Sequence, residues 1–315
     1  MSWTELDSIL ALYEAGPGPF CLATLVRISG SSYRQAGARI LVNDSGGTAG
    51  SLSPGCIEGE VANRGIAVLQ TGQSERLKFD LRSLFGCDGQ IEVVLERVVK
   101  PSSLFERLQE CRRERKPLLT VMRGLDGPDA GLRTEISSAP VSMEASGFAQ
   151  VLLPPVRLVL VGDRPDLQPL VRLAGFLHWE VVVMTDPASL PAGDPQAGCV
   201  VMSHRLGADL VALKTALERS RASSRGYGYL ALVGGKQRRE RLFHELLDDG
   251  VDPEKLRHVH CPAGLDIGAE APEEIALAIV AEAQSVLAGR GAGFLKHRPS
   301  AIHPAEEPKS SRGWR

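Results

Sequence analysis

The chain has 315 residues, a length that suggests two domains at roughly 150 residues each, and its 36 Lys plus Arg against 38 Asp plus Glu leave a formal net charge of −2. That balance argues against a general nucleic-acid binder, which needs a basic excess, and 43% hydrophobic with 23% charged residues argues against bulk disorder. No apolar run approaches the roughly 18 residues of a membrane span, the first residues lack signal-peptide character, and six cysteines are too sparse for a disulfide scaffold, so the expected setting is the reducing cytoplasm.

Ser2 and Glu5 have capping-box spacing, and Leu6, Ile9, Leu10 and Tyr13 follow at helical intervals until Gly16-Pro17-Gly18-Pro19 ends the helix. Cys21 to Ile28 reads as a buried strand, followed by a polar loop Ser29-Gly30-Ser31-Ser32. Ala38 to Val42 and Thr48 to Leu52 are further strands, separated by the turn Asn43 to Gly47. Ser53-Pro54-Gly55 leads into a helix expected to open near Cys56 and to carry Ile57, Val61, Ile66 and Leu69 inward. Gly86-Cys87-Asp88-Gly89 is a tight loop, and Ile91, Val93 and Leu95 alternate with Glu92 and Glu96 as a strand. These elements form a compact α/β domain over residues 1–100.

Residues 101–155 read as an annex and linker, with a helix from Ser103 to Arg115 and a strand from Leu118 to Met122. From residue 156 to 290, strands at Leu158–Val161, Val181–Met184, Cys199–Met202 and Tyr229–Val233 alternate with helices, which predicts a Rossmann-like parallel sheet. Pro272 opens the last helix. Residues 291–315 are polar and aperiodic, a disordered tail. The expected fold is therefore α/β, an N-terminal compact domain followed by a C-terminal Rossmann-like parallel-sheet domain.

Several residue groups could carry chemistry. Cys56, after Gly55 and before Glu58, sits at an expected helix start, where the positive end of the dipole favours a thiolate, a soft metal donor and nucleophile. A small hydrophobe tucked under the helix is the alternative. Cys87 is a second loop thiol; its spacing from Cys56 is not that of a zinc ribbon. Gly30-Ser31-Ser32 with Arg34 and Arg39 would suit an oxyanion or serve as an ordinary polar turn. Gly234-Gly235-Lys236-Gln237-Arg238-Arg239 opens a helix and reads as an anion site or as a solvated basic face. Val161-Gly162-Asp163-Arg164-Pro165-Asp166 keeps one glycine of the dinucleotide fingerprint, which disfavours ordinary NAD binding, although Asp186 stands near the ribose-binding distance. His258-Val259-His260-Cys261 lacks a fourth local metal ligand. No acid–base pair or triad stands out, so no catalytic residue is assigned.

Taken together, these motifs resemble the XdhC/CoxI family of xanthine dehydrogenase accessory proteins, also described as molybdenum cofactor maturation or insertion factors. The resemblance rests on Gly30-Ser31-Ser32, Gly37-Ala38-Arg39, Gly50-Ser51, Gly55-Cys56-Ile57-Glu58-Gly59, and Gly86-Cys87 followed by Gly89-Gln90-Ile91-Glu92-Val93. It continues through Val201-Met202-Ser203-His204, Gly234-Gly235-Lys236 and Pro262-Ala263-Gly264-Leu265-Asp266-Ile267-Gly268, covering about residues 20 to 288 in order. The chain departs from the family at Gly162-Asp163-Arg164-Pro165, at Tyr33-Arg34-Gln35-Ala36, at Pro54 and at Gly235.

The resemblance implies a cytoplasmic, non-enzymatic chaperone. It would bind the molybdenum cofactor, as molybdopterin or its cytosine dinucleotide form, while a cysteine desulfurase supplies the terminal sulfido ligand. It would then help insert the cofactor into a molybdoenzyme of the xanthine oxidase type. The family's paired cysteines map onto Cys56 and Cys87, the residues implied to meet molybdenum, with Gly55, Glu58, Ser32, Arg39, Gly234 and Lys236 as further cofactor-binding residues. A homodimer is a further expectation; nucleic acid and membrane are not expected partners. Two alternatives compete: an NAD(P)-dependent oxidoreductase using the C-terminal domain, and a scaffold that tethers desulfurase to enzyme without holding cofactor.

Overall fold

A computed structural model describes residues 1–30, 32–81, 89–125, 127–128, 131–137, 147–163, 165–222 and 226–298. The described residues divide into two compact units, one within Met1–Leu153 and one within residues 154–298.

In the first unit, helix α1 (Trp3–Ala15) starts on the Ser2/Glu5 capping box and buries Leu6, Ile9, Leu10 and Tyr13. Strands β1 (Phe20–Gly30), β2 (Arg39–Val42), β3 (Thr48–Gly50), β4 (Glu75–Asp80) and β5 (Gly89–Val98) form one antiparallel sheet in the order β3-β2-β1-β5-β4. Alternation along β1 sorts the two faces. Cys21, Ala23 and Leu25 pack with Val61, Val68 and Leu69 of helix α2 (Glu58–Thr71). Phe20 and Leu22 pack with α1 and with Leu104, Phe105 and Leu108 of helix α3 (Ser103–Glu114).

Three local expectations change. β1 extends through Ser29 and Gly30, because β5 supplies ladder partners at Gln90 and Gly89. β4 is an added edge strand, its Leu77 and Phe79 alternating with Arg76, Lys78 and Asp80. α2 begins at Glu58 rather than near Cys56, with Ile57 as its N-cap. Residues 101–155, read as an annex and linker, hold α3 and a three-stranded antiparallel sheet of β6 (Leu118–Met122), β7 (Glu135–Ser137) and β8 (Phe148–Leu152), in the order β7-β6-β8.

The second unit contains β9 (Arg157–Val161), α4 (Leu167–Phe176), β10 (Glu180–Met184), β11 (Ala197–Val201), α5 (Leu206–Ala222), β12 (Tyr229–Leu232), α6 (Lys236–Asp248), α7 (Pro253–Leu256), β13 (Val259–His260) and α8 (Pro272–Leu287). The five strands are all parallel in the order β10-β9-β11-β12-β13. Leu158, Leu160, Val200 and Ala231 face α4 and α8, while Val159, Val161, Cys199 and Leu232 face α5 and α6. The strands therefore read as continuous apolar runs, as a sheet covered on both faces requires. The expected fold class holds: a compact α/β unit followed by a doubly wound parallel sheet. Of the tail, residues 291–298 contain a 3-10 turn at Leu295–His297, and 299–315 lie outside the described residues.

Candidate functional site

The chain leaves β3 at Gly50, and the Ser51 N–H donates to the Arg39 carbonyl at 3.0 Å. It then forms a loop built around two side chains. The Ser53 hydroxyl oxygen accepts from the N–H groups of Gly55 (3.2 Å), Cys56 (2.9 Å) and Ile57 (3.4 Å). Glu58, the first residue of α2, turns its carboxylate back over the loop and accepts from Leu52 N (3.0 Å), Ser53 N (2.7 Å), Ile57 N (3.2 Å) and the Ser53 hydroxyl (2.6 Å). Burial pushes the Glu58 carboxyl up, but the Ser53 hydroxyl and the surrounding N–H groups outweigh it and hold the group below the usual carboxylate range. Ile57 is buried and anchors the loop, whereas Pro54, Gly55 and Cys56 are exposed. Gly55 has φ +113°, a conformation open to glycine and strained for other residues.

The geometry thus presents the Cys56 thiol to solvent on a loop whose amides are already bonded. This changes the expectation that the helix opens near Cys56. Cys56 precedes the helix by two positions and is no part of its first turn. The loop N–H groups answer Glu58 and Ser53 and are not open to an external oxyanion. Glu58 is accordingly a residue that shapes the loop.

Beside this loop lies a shallow hollow of about 450 Å³, lined by Tyr33, Arg34, Ser51, Ser53, Gly55 and Glu58 among others. A volume of that order is within the range of small-molecule sites. Arg34 lines it while pairing with Glu5 of α1. Tyr33 is highly exposed. The spacing of residue types alone left Tyr33, Ser51 and Ser53 without roles. A serine preceding Cys56 by three positions is the signature of a hydroxyl that caps following amides, and that signal was legible.

The remaining expected residues are dispersed. Ser32 is half-buried beside Tyr33, outside every regular element, and Ser31 lies outside the described residues. Cys87 also lies outside them, so its relation to Cys56 stays an expectation. Gly89, the next described residue, pairs with Gly30 at the end of the sheet toward which β3 also runs. Arg39 differs from its expectation as an anion donor. It is 2% exposed, and its guanidinium donates to the Gly37 carbonyl (3.3 Å), Gln150 Oε1 (2.6 Å) and Thr120 Oγ1 (3.2 Å). Burial lowers its pKa to about 10, with Glu96 opposing the drop. Arg39 therefore ties β2 to the small sheet and reaches no surface ligand.

Gly234 and Lys236 belong to the second unit. A Cβ on Gly234 would fall 2.7 Å from Arg238 Cδ, so the glycine makes room for the Arg238 stem. Arg238 turns in to the fully buried Asp209 (3.2 Å from Nε), and Arg239 donates to the Cys261 carbonyl. Lys236 is exposed near Glu240 at 3.9 Å, so its place in the structure is a solvated helix face. His260 bonds Glu282 at 2.9 Å, and among the described residues no group of three or more His, Cys, Asp or Glu could hold a metal ion.

At the carboxyl ends of β9 and β11, where a doubly wound sheet offers its ligand crevice, Asp166 and His204 meet at 2.7 Å and Asp163 and Arg205 at 3.6 Å. Gly162 is explained by packing, since a Cβ there would lie 2.9 Å from the Met202 carbonyl oxygen. Neither pair was legible without the strand order.

Fold and site together define a two-part protein: an antiparallel unit presenting an exposed thiol loop, and a doubly wound unit whose first turn keeps one of the dinucleotide glycines. Residues 14–80 match the XdhC and CoxI family, and residues 158–283 match the XdhC Rossmann domain. A probable xanthine dehydrogenase component of Bacillus subtilis (strain 168) is 30% identical over 89% of this chain and 95% of its own length. The molybdenum cofactor insertion chaperone PaoD of Escherichia coli (strain K12) is 25% identical over 84% of this chain and 82% of its own. A crystal structure described as a xanthine dehydrogenase from Bacillus halodurans superposes with a TM-score of 0.72 at 24% identity, covering 95% and 98% of the two chains, a likeness of fold. The chain belongs to the XdhC and CoxI family.

Proposed function

We propose that this chain is a molybdenum cofactor chaperone, which holds its cargo in the first unit and passes it to an enzyme of the xanthine dehydrogenase type. The observation that carries this reading is the solvent-facing Cys56 thiol, held on a loop fixed by Ser53 and Glu58 beside an open hollow. A thiolate is a soft donor suited to the metal of such a cargo. Homology to an insertion chaperone points to the same cargo. In this reading Cys87 supplies a second thiol, a cysteine desulfurase meets the loaded protein, and the chain itself catalyses no reaction.

The test is anaerobic incubation with cofactor released from a molybdoenzyme, followed by gel filtration and molybdenum quantification. Molybdenum should co-elute with the wild-type chain and be lost from Cys56→Ala. Equal molybdenum on wild type, Cys56→Ala and Cys87→Ala would refute the thiol role. Partner capture by a chain that never carries molybdenum would favour a tethering scaffold instead.

A further inference from the structure

The thiol loop spends its hydrogen-bond donors on itself. Ser51 N donates to the Arg39 carbonyl, Leu52 N and Ser53 N donate to the Glu58 carboxylate, and Gly55, Cys56 and Ile57 donate to the Ser53 hydroxyl oxygen. Pro54 carries no N–H. The two hydroxyl protons are engaged as well, Ser51 to the Ser53 carbonyl at 2.7 Å and Ser53 to Glu58 Oε2 at 2.6 Å. From Ser51 to Ile57 the loop therefore has no uncommitted N–H or O–H to give. A phosphate, an oxyanion or the oxo edge of a heterocycle is bound by donors, and the loop cannot supply them without losing its own shape.

Tyr33 and Arg34 bring the other side chains that the hollow can use. Arg34 is half-buried and its guanidinium pairs with Glu5, whose second oxygen accepts from Ser2 N at 3.0 Å in the capping box of α1. The pair neutralises the arginine and pins the segment after β1 to the first helix. Gly30, on the other side of Tyr33, is held in the sheet opposite Gly89. Tyr33 thus sits on a segment fixed before and after it, and it is 71% exposed. Its ring offers the hollow a bare π-face.

We infer that Tyr33 is the platform on which the cargo's organic part is recognised: its ring stacks on the flat fused rings of the pterin, and the hollow reads that face and not the pterin's hydrogen-bonding edge. This rests on the cargo proposed above and adds which part of it is read. Stacking suits the groups present, because a π-face asks for no donor from the loop, and it tolerates differences around the edge of the ring. A stack does not sense what is attached beyond the ring system, so molybdopterin and its cytosine dinucleotide form fit alike. Bare molybdate, an oxyanion without a ring, finds no free loop amide and is not retained.

The probe is a molybdenum-free pterin, followed by the quenching of its own fluorescence and titrated into the full-length protein under reducing conditions. Wild type should quench it saturably. Tyr33→Phe keeps the ring and should bind within twofold of wild type, while Tyr33→Ala should weaken binding at least tenfold. Tyr33→Leu restores apolar bulk without a π-system and should not recover it. Melting temperatures should match throughout, since the side chain is exposed. With intact cofactor, gel filtration should show equal molybdenum on wild type for both forms, less on Tyr33→Ala, and none from molybdate. Pterin binding that survives Tyr33→Ala, full recovery by leucine, loss in Tyr33→Phe, or retention of one cofactor form alone overturns the proposal. Should wild type retain the intact cofactor and no free pterin, the stacking role falls and the chaperone reading stands. Should it retain neither, the chaperone reading itself falls and the role of Tyr33 falls with it.

Discussion

Replacing Glu58 by glutamine tests the account of the thiol loop. The carboxylate accepts three backbone N–H groups and the Ser53 hydroxyl. A hydrogen bond to an ionised group contributes about 1.5–3 kcal/mol. Glutamine keeps one accepting oxygen, and water reaches this half-buried site, so the expected loss at neutral pH is about 1–2 kcal/mol, toward the lower end of such contacts. For a unit of roughly 150 residues this lowers the first melting transition by about 2–8 °C. The sign of the pH dependence is fixed by the depressed pKa of Glu58. Its contribution is fully present above the unfolded value of about 4.3 and is lost as pH falls through the lower folded value. The wild-type advantage over Glu58→Gln should therefore be largest near pH 7 and shrink in acid. Calorimetric melts of both proteins across that range measure it, with the rate of Cys56 modification by a disulfide reagent reporting the loop directly. Equal melting points at pH 7, or a difference that persists unchanged below the folded pKa, would refute the role given to Glu58.

Arg39→Ala should destabilise the first unit by about 3 kcal/mol, because it opens a cavity and strands the Gln150 and Thr120 partners. Molybdenum bound per folded molecule should stay at the wild-type level; a selective loss of cargo would restore Arg39 as a ligand-binding residue. Gly162→Ala should destabilise the second unit by about 1–3 kcal/mol, since its Cβ would press on the Met202 carbonyl, and denaturant titration followed by circular dichroism reads the shift. A fluorescence titration with NADH should show no micromolar binding, because Asp166–His204 and Asp163–Arg205 bridge the loops at the crevice; saturable micromolar binding would revive the oxidoreductase reading.

The regular elements were legible where periodicity is local. The Ser2/Glu5 box and the helical spacing of Leu6, Ile9, Leu10 and Tyr13 survive unchanged in α1. The apolar runs of β9 and β11 announce a sheet covered on both faces. What was hidden depends on partners distant in the chain. Arg39 looked like a surface guanidinium because Thr120 and Gln150 lie far along the sequence. β4 was obscured because an edge strand rich in charge loses the apolar signal that marks β1. The motif around Cys56 was visible as a set of residues, but the direction of its hydrogen bonds was not. Glu58 could equally face a ligand or fold back on its own backbone, and the choice is made by the turn at Gly55.

That inward-turned carboxylate has a consequence for exchange at the sulfur. A visitor arriving at Cys56 finds a surface whose polar groups are already content, so docking requires no rearrangement of the backbone beneath it. Departure leaves no amide stranded either. Under the proposed function, both passages would be governed by the bond to sulfur itself, as handing a cargo to another protein would require.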